Sequence, residues 1–173
     1  MTKISKYLSK HLRHTPEALG LSLQPGGWVE VSALLSGCAR SGFPISPAEL
    51  REVVETNDKQ RFAFDESATR IRANQGHSTE VDLQLRPQTP PEVLYHGTAE
   101  HALDSILASG LRRMDRHHVH LSPTIPAARK VGARHGAPVV LAVAMHAAGI
   151  LFYCSDNGVW LVDGVGPAYL RQT

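Results

Sequence analysis

Arg86-Pro87-Gln88-Thr89-Pro90-Pro91 is the segment that most limits how this chain can fold. Proline has a fixed φ and no backbone N–H, so it neither continues a helix nor sits in a central strand. A run this rich in proline is also stiff. The segment predicts two lobes, residues 1–86 and 92–173, joined by a linker over 87–91. A length of 173 residues suits one ordinary domain or two small ones.

Charge narrows the function classes. Lys+Arg total 18 and Asp+Glu 16, a net charge of +2. That excludes a broadly basic nucleic-acid coat and an acidic tail protein, and leaves room for a local basic site. Hydrophobic residues at 42% and charged residues at 20% give the composition of a water-soluble globular protein. The longest apolar run, Val139 to Met145, is far short of the roughly 20 residues that span a bilayer. Met1 to His14 is basic without an apolar core or cleavage site, so it does not read as a secretory signal. Cys38 and Cys154 are too few for a disulfide scaffold or a thiolate zinc site. They read as small buried hydrophobes, and a cytoplasmic location is expected.

The first lobe should open with a helix. Ile4, Tyr7, Leu8 and Leu12 share one face, with Lys3, Lys6, Lys10 and Arg13 opposite, and Pro16 limits it. Leu19, Leu21 and Leu23 alternate. Pro25-Gly26-Gly27 turns the chain into Trp28 to Val31, and a short helix follows around Ser32 to Ala39. Ser46-Pro47-Ala48-Glu49 combines a cap, a first-turn proline and a capping-box acid, so a helix should run to about Glu55. Gln60 to Phe64 alternates as a strand and returns through Asp65–Ala68 into Thr69–Arg72.

The second lobe should carry strands at Val93–His96, His118–Leu121 and Val139–Met145. Helices are expected at Glu100–Ser109, stopped by Gly110, and in the second half of Ser122–Arg134. Asn157-Gly158 predicts a hairpin between Leu151–Tyr153 and Val159–Val162. Helices followed by a hairpin resemble a winged helix in the first lobe. The whole chain reads as α+β, not doubly wound.

Five groups of residues could carry chemistry. Arg13 offers a planar fork for phosphate beside the titratable His14, though the same helix end also suits plain solvation. Period-two spacing puts Lys59 and Arg61 on one strand face, either as a phosphate clamp or as an exposed polar face. Tyr95-His96-Gly97-Thr98 brings an imidazole, a close backbone approach and a hydroxyl together, or forms a tight turn. His118 and His120 share one strand face, but no further motif completes a metal site. Lys130 and Arg134 lie four apart on a helix and could equally form a solvated basic end. No Walker loop and no Gly-x-Gly-x-x-Gly after a strand marks a nucleotide fold.

Taken in order, six segments resemble one family, the NAD-dependent RNA (tRNA) 2′-phosphotransferases. They are Ser5 to Ser9 with Leu12-Arg13-His14; Asn57 to Phe62; Tyr95 to Thr98; His118 to Ser122; Val131 to Gly136; and Asn157 to Leu161. They span almost the whole chain. The resemblance implies an N-terminal winged-helix-like RNA lobe and a C-terminal ADP-ribosyltransferase-like lobe with a mixed small sheet. It implies a catalytic tetrad of Arg13, His14, Arg61 and Arg134, with Lys59 as a further RNA-phosphate contact. It assigns NAD binding to His96, Gly97, Thr98, His120, Leu121 and Ser122, with NAD as co-substrate and no metal.

The implied reaction has two steps. An internal RNA 2′-phosphate attacks C1″ of the nicotinamide ribose and expels nicotinamide. The ribose O2″ then attacks phosphorus, giving RNA with a free 2′-OH and ADP-ribose 1″,2″-cyclic phosphate. The nucleophile is already anionic, so the first step needs no general base. Many ADP-ribosyltransferases carry a Glu that activates the attacking group, whereas Asn157 to Trp160 contains none. The partner expected is a tRNA-like RNA bearing an internal 2′-phosphate, as in tRNA splicing. A monomer without membrane association is expected. An ADP-ribosyltransferase acting on phosphorylated nucleic-acid ends is the alternative.

Overall fold

A computed structural model describes residues 2–56, 59–144 and 149–173. The chain divides into two compact units, Met1–Leu85 and Arg86–Thr173. Among the described residues there are five α-helices and small antiparallel sheets.

The first unit starts with α1 (Thr2–Arg13). Leu8 and Leu12 are fully buried, Ile4 and Tyr7 pack beside them, and Lys3, Lys6 and Lys10 face solvent. Pro16–Leu19 follows as a 3-10 turn, closed by Gly20 at φ 68°. The alternating Leu19, Leu21 and Leu23 form no strand; they line the core as the chain turns. Strand β1 (Trp28–Glu30) leads into α2 (Val31–Arg40). Helix α3 (Pro47–Glu55) begins as its sequence requires: the Ser46 N–H donates to Glu49 Oε2 at 2.9 Å, and Ser46 Oγ accepts from the Glu49 N–H at 3.3 Å. The Ser46 hydroxyl, donating to Glu49 Oε2 at 2.7 Å, and then the Ser46 N–H hold the Glu49 carboxyl below its ordinary range.

Strands β2 (Phe62–Phe64) and β3 (Arg70–Ala73) complete an antiparallel sheet in the order β1-β3-β2. The alternation of the pleat decides its faces. Val29, Phe62, Ile71 and Ala73 are buried against the helices. Trp28 lies on the opposite side with Arg72 and Arg70, whose guanidiniums sit 4.6 and 5.6 Å from its ring centroid. Asp65 fixes the β2–β3 turn by accepting from the Arg70 backbone N–H and from Arg70 Nε, both at 3.0 Å.

The described residues of the second unit include two α-helices and nine strands. They are β4 (Pro87–Gln88), β5 (Leu94–Ala99), α4 (Leu103–Ser109), β6 (Leu111–Arg112), β7 (Val119–Leu121), α5 (Ile125–Gly132), β8 (Pro138–Val143), β9 (Phe152–Cys154), β10 (Trp160–Val162), β11 (Gly164–Val165) and β12 (Leu170–Gln172). Instead of the expected mixed sheet, they form three antiparallel sheets, ordered β4-β9-β10-β7, β12-β8-β5 and β11-β6. Strands β9 and β10 return directly on each other, whereas β5–β8, β7–β10 and β4–β9 join strands remote in sequence. Pro87 and Gln88, expected in the linker, are an edge strand on β9, the position in a sheet that tolerates proline. Met145, where the β8 expectation ended, lies outside the described residues, as do Asn57 and Asp58.

Strand β5 continues straight through Gly97 and Thr98, where a turn was one reading. Gly97 serves a different purpose. A Cβ there would overlap the Ala128 carbonyl of α5. A Cβ on Gly132 would lie 2.6 Å from the Thr98 carbonyl. The two glycines therefore let α5 lie on β5 backbone against backbone. Leu94, Leu121, Val143, Phe152 and Val162 fill the core beneath. Gly97→Ala should push α5 off β5 and destabilise this unit by about 3 kcal/mol, the upper end for overpacking. Chemical denaturation followed by circular dichroism would show it; an unshifted midpoint would refute the close-packing account.

Candidate active site

In the first unit, the C-terminal end of α1 and the approach to β2 come together. The Arg13 carbonyl accepts from the backbone N–H groups of Ser78 and Thr79, at 2.9 and 3.2 Å. Both capture a helix-end carbonyl that would otherwise lack an intrahelical donor. The Arg13 guanidinium turns inward, and Nη2 donates to the Arg61 carbonyl at 3.5 Å. Arg13 is accordingly half-buried and does not join the solvated lysine row expected of it. His14 is exposed, with Nδ1 2.8 Å from Ser78 Oγ. Three of the anticipated residues, Arg13, His14 and Arg61, thus share one corner of the unit.

Lys59 and Arg61 do not share a strand face as the period-two spacing predicts. Strand β2 begins only at Phe62, and Gln60 adopts φ 41°, a left-handed conformation that breaks the alternation. Two bonds from Asn74 support this bend. Its side-chain Nδ2 donates to the Gln60 carbonyl at 2.7 Å, and its backbone N–H donates to the Arg61 carbonyl at 2.9 Å. Asn74, Ser78 and Thr79 carry no recognisable motif. A polar run immediately after a strand, Asn74 to Ser78 with Gly76 at φ 88°, was the only available signal.

In the second unit, β5 and β7 are joined by reciprocal bonds between Tyr95 and Ser122, at 2.9 and 2.7 Å. His96 Nδ1 donates to the His120 carbonyl at 3.0 Å. Burial holds the His96 imidazole below its ordinary 6.5, partly offset by that bond. The ring is therefore neutral near pH 7, and Nε2 is an acceptor. Arg116 Nη1 donates to His120 Nδ1 at 3.1 Å. His96, His120 and Ser122 are half-buried, whereas Gly97, Thr98 and Leu121 are buried. Leu121 belongs to the core, so only its main chain could meet a ligand.

Arg134 is exposed and follows α5 instead of riding on it. Its N–H donates to the Val131 carbonyl at 3.2 Å, in the turn after the helix. The i, i+4 alignment with Lys130 is therefore lost. The Asn157-Gly158 turn is tied by Ser155: Oγ lies 2.7 Å from Asn157 Oδ1 and 3.0 Å from the Val159 carbonyl. His118 stands 3.9 Å from Asp163 and edge-on to Tyr153; burial lowers its pKa, and Asp163 offsets part of that. Among the described residues, no three His, Cys, Asp or Glu side chains gather as a metal site. None of the described helices is long and apolar enough to cross a membrane.

A family model described as RNA 2′-phosphotransferase, Tpt1 / KptA family, matches residues 1–164. A probable RNA 2′-phosphotransferase of Trichormus variabilis is 66% identical over 173 residues, covering 98% of this chain and 95% of its own. A similarly described protein of Nostoc punctiforme is 62% identical over 175 residues, covering 99% and 97%. A third, from Streptomyces coelicolor, is 56% identical over 172 residues, covering 98% and 93%.

The lowered His96 pKa fixes a sign for stability against pH. Below 6.5 the unfolded chain takes up a proton that the folded imidazole refuses, so stability is present above that pH and falls beneath it. His118 adds to the same slope. His96→Asn keeps an amide donor for the His120 carbonyl and removes one titration. Its urea midpoint should therefore decline less on acidification than that of the wild type; identical declines would remove His96 as a source.

Proposed function

The chain belongs to the Tpt1/KptA family of RNA 2′-phosphotransferases, and from that premise we propose an NAD-dependent reaction on an internal RNA 2′-phosphate. The first unit is read as a winged-helix-like RNA lobe and the second as an ADP-ribosyltransferase-like lobe. The substrate is a tRNA-like RNA, and the enzyme acts as a cytoplasmic monomer. The observation that carries the reading is the meeting of Arg13 with the Arg61 carbonyl, next to His14 on Ser78.

Arg13, Lys59 and Arg61 hold the 2′-phosphate. Guanidiniums suit that task because they stay charged and match phosphate oxygens in pairs. The bound phosphate is an anion, so these residues orient it and no side chain need deprotonate it. In the first step one phosphate oxygen bonds to C1″ as the bond to nicotinamide breaks, and nicotinamide leaves with that electron pair. In the second step O2″ bonds to phosphorus, losing its proton to solvent, as the RNA 2′-oxygen departs. His14 gives that oxygen its proton. Arg134 neutralises charge on the phosphoryl oxygens or holds the pyrophosphate of NAD.

The second unit supplies groups of the right chemistry for NAD. The Nε2 acceptor of His96, the ring of His120 and the hydroxyl of Ser122 can meet ribose hydroxyls and the carboxamide. Gly97, Thr98 and Leu121 are buried beside these groups on the same two strands. NAD contributes the electrophilic C1″ and a leaving group.

A synthetic 2′-phosphorylated oligoribonucleotide should lose its phosphate only when NAD is present, with release of ADP-ribose 1″,2″-cyclic phosphate. Loss without NAD would overturn the reading. Turnover should survive a chelator. With radiolabelled NAD, Arg13→Ala and Arg61→Ala should slow formation of labelled RNA by about 10²-fold or more. His14→Ala and Arg134→Ala should instead accumulate the labelled intermediate. Rapid, complete dephosphorylation by all four variants would sink these roles.

A further inference from the structure

Two distant stretches of chain supply Arg13 with His14 and Lys59 with Arg61, and neither is held by its own element alone. Helix α1 ends at Arg13, so His14 is already outside it. Strand β2 starts at Phe62, so Arg61 precedes it. A third segment, immediately after β3, bonds to both. Asn74 donates to the Gln60 and Arg61 carbonyls. Four residues on, Ser78 and Thr79 donate to the Arg13 carbonyl, and Ser78 Oγ meets His14 Nδ1.

We propose that Asn74–Thr79 is a clip that sets the geometry of the phosphate site, with Asn74 the positioning residue for Arg61 and Ser78 the positioning residue for His14. The proposal rests on the reading above, in which Arg61 and His14 serve the reaction.

The chemistry of each contact supports it. Asn74 is 8% exposed, and its Oδ1 is buried without a hydrogen-bond donor. An unsatisfied buried carbonyl carries a desolvation cost that an apolar side chain of similar size would not. What the amide contributes is its donor half, which stabilises Gln60 at φ 41° and so fixes where the backbone releases Arg61. For His14, either proton arrangement gives the same outcome. A neutral ring accepts from the Ser78 hydroxyl at Nδ1, and a protonated ring donates to it there. In both cases Nδ1 is engaged and Nε2 is the nitrogen presented for proton transfer. A general acid needs that orientation before its pKa matters.

The test uses the full chain with Ser78→Ala, Ser78→Thr and Asn74→Leu, after thermal melts establish that each folds. Ser78 is exposed, so its variants should fold normally. Ser78→Ala should leave nicotinamide release and KM for the 2′-phosphorylated oligonucleotide near wild type. It should slow phosphate removal about tenfold, the order carried by one hydrogen bond, and accumulate ADP-ribosylated RNA. Ser78→Thr should restore the rate. Asn74→Leu should raise KM for the oligonucleotide about tenfold without loss of thermal stability. The nitrogen-15 shift of His14 Nδ1 should move in Ser78→Ala and return in Ser78→Thr.

Wild-type kinetics in Ser78→Ala overturn the proposal, and so does an unmoved His14 shift. If Asn74→Leu does not fold, the Ser78 pair decides. If the wild type consumes no NAD, the reaction reading fails instead, and the His14 shift alone judges the clip.

Discussion

The carbonyl oxygen of Arg61 is the point on which the first unit's site depends. It accepts from the Asn74 backbone and from the Arg13 guanidinium, and it belongs to a residue that is itself a candidate phosphate ligand. An arginine side chain has many rotamers, and ordering it costs conformational entropy. One contact to a fixed carbonyl restrains Arg13 before any substrate arrives. The same carbonyl fixes the backbone from which Arg61 leaves. Two cations are thereby organised around a neutral dipole.

The second unit meets the corresponding demand through sterics. Helix α5 approaches β5 closely because Gly97 and Gly132 lack side chains. That packing fixes the strand bearing His96 and the helix preceding Arg134. The Tyr95–Ser122 bridge then locks β5 to β7, and the His120 carbonyl selects the tautomer of His96. A half-buried, neutral imidazole held in one orientation presents a hydrogen-bonding acceptor, which suits the nucleotide recognition proposed for it better than charge pairing would.

Legibility in the sequence followed the range of the interactions concerned. The capping box at Ser46, the apolar face of α1 and the Asn157-Gly158 turn depend on residues a few positions apart, and each is where local chemistry predicts. The failures arose from tertiary contacts. Lys59 and Arg61 lost their shared strand face because Asn74 supports a left-handed Gln60. Gly97 reads as a turn residue until the Ala128 carbonyl beside it is known. Pro87 reads as linker because its partner strand is β9, remote in sequence. Ser78 and Asn74 leave no local signal for the same reason: each donates to a segment far along the chain and belongs to no local pattern.

Helix α1 shows how a chain of net charge +2 meets the demands of the single-phosphate site proposed above. Lys3, Lys6 and Lys10 project into solvent, where their fields are screened beyond about 8 Å at physiological salt. They can attract a polyanion but cannot orient it. Arg13 comes one turn after Lys10, yet the helix ends there, and Ser78 and Thr79 capture its carbonyl. Its guanidinium is consequently half-buried, where screening is weaker and the planar fork is held. Diffuse attraction and specific orientation are thus separated along twelve residues of helix by where that helix stops. Total charge reports the first of these and is silent on the second.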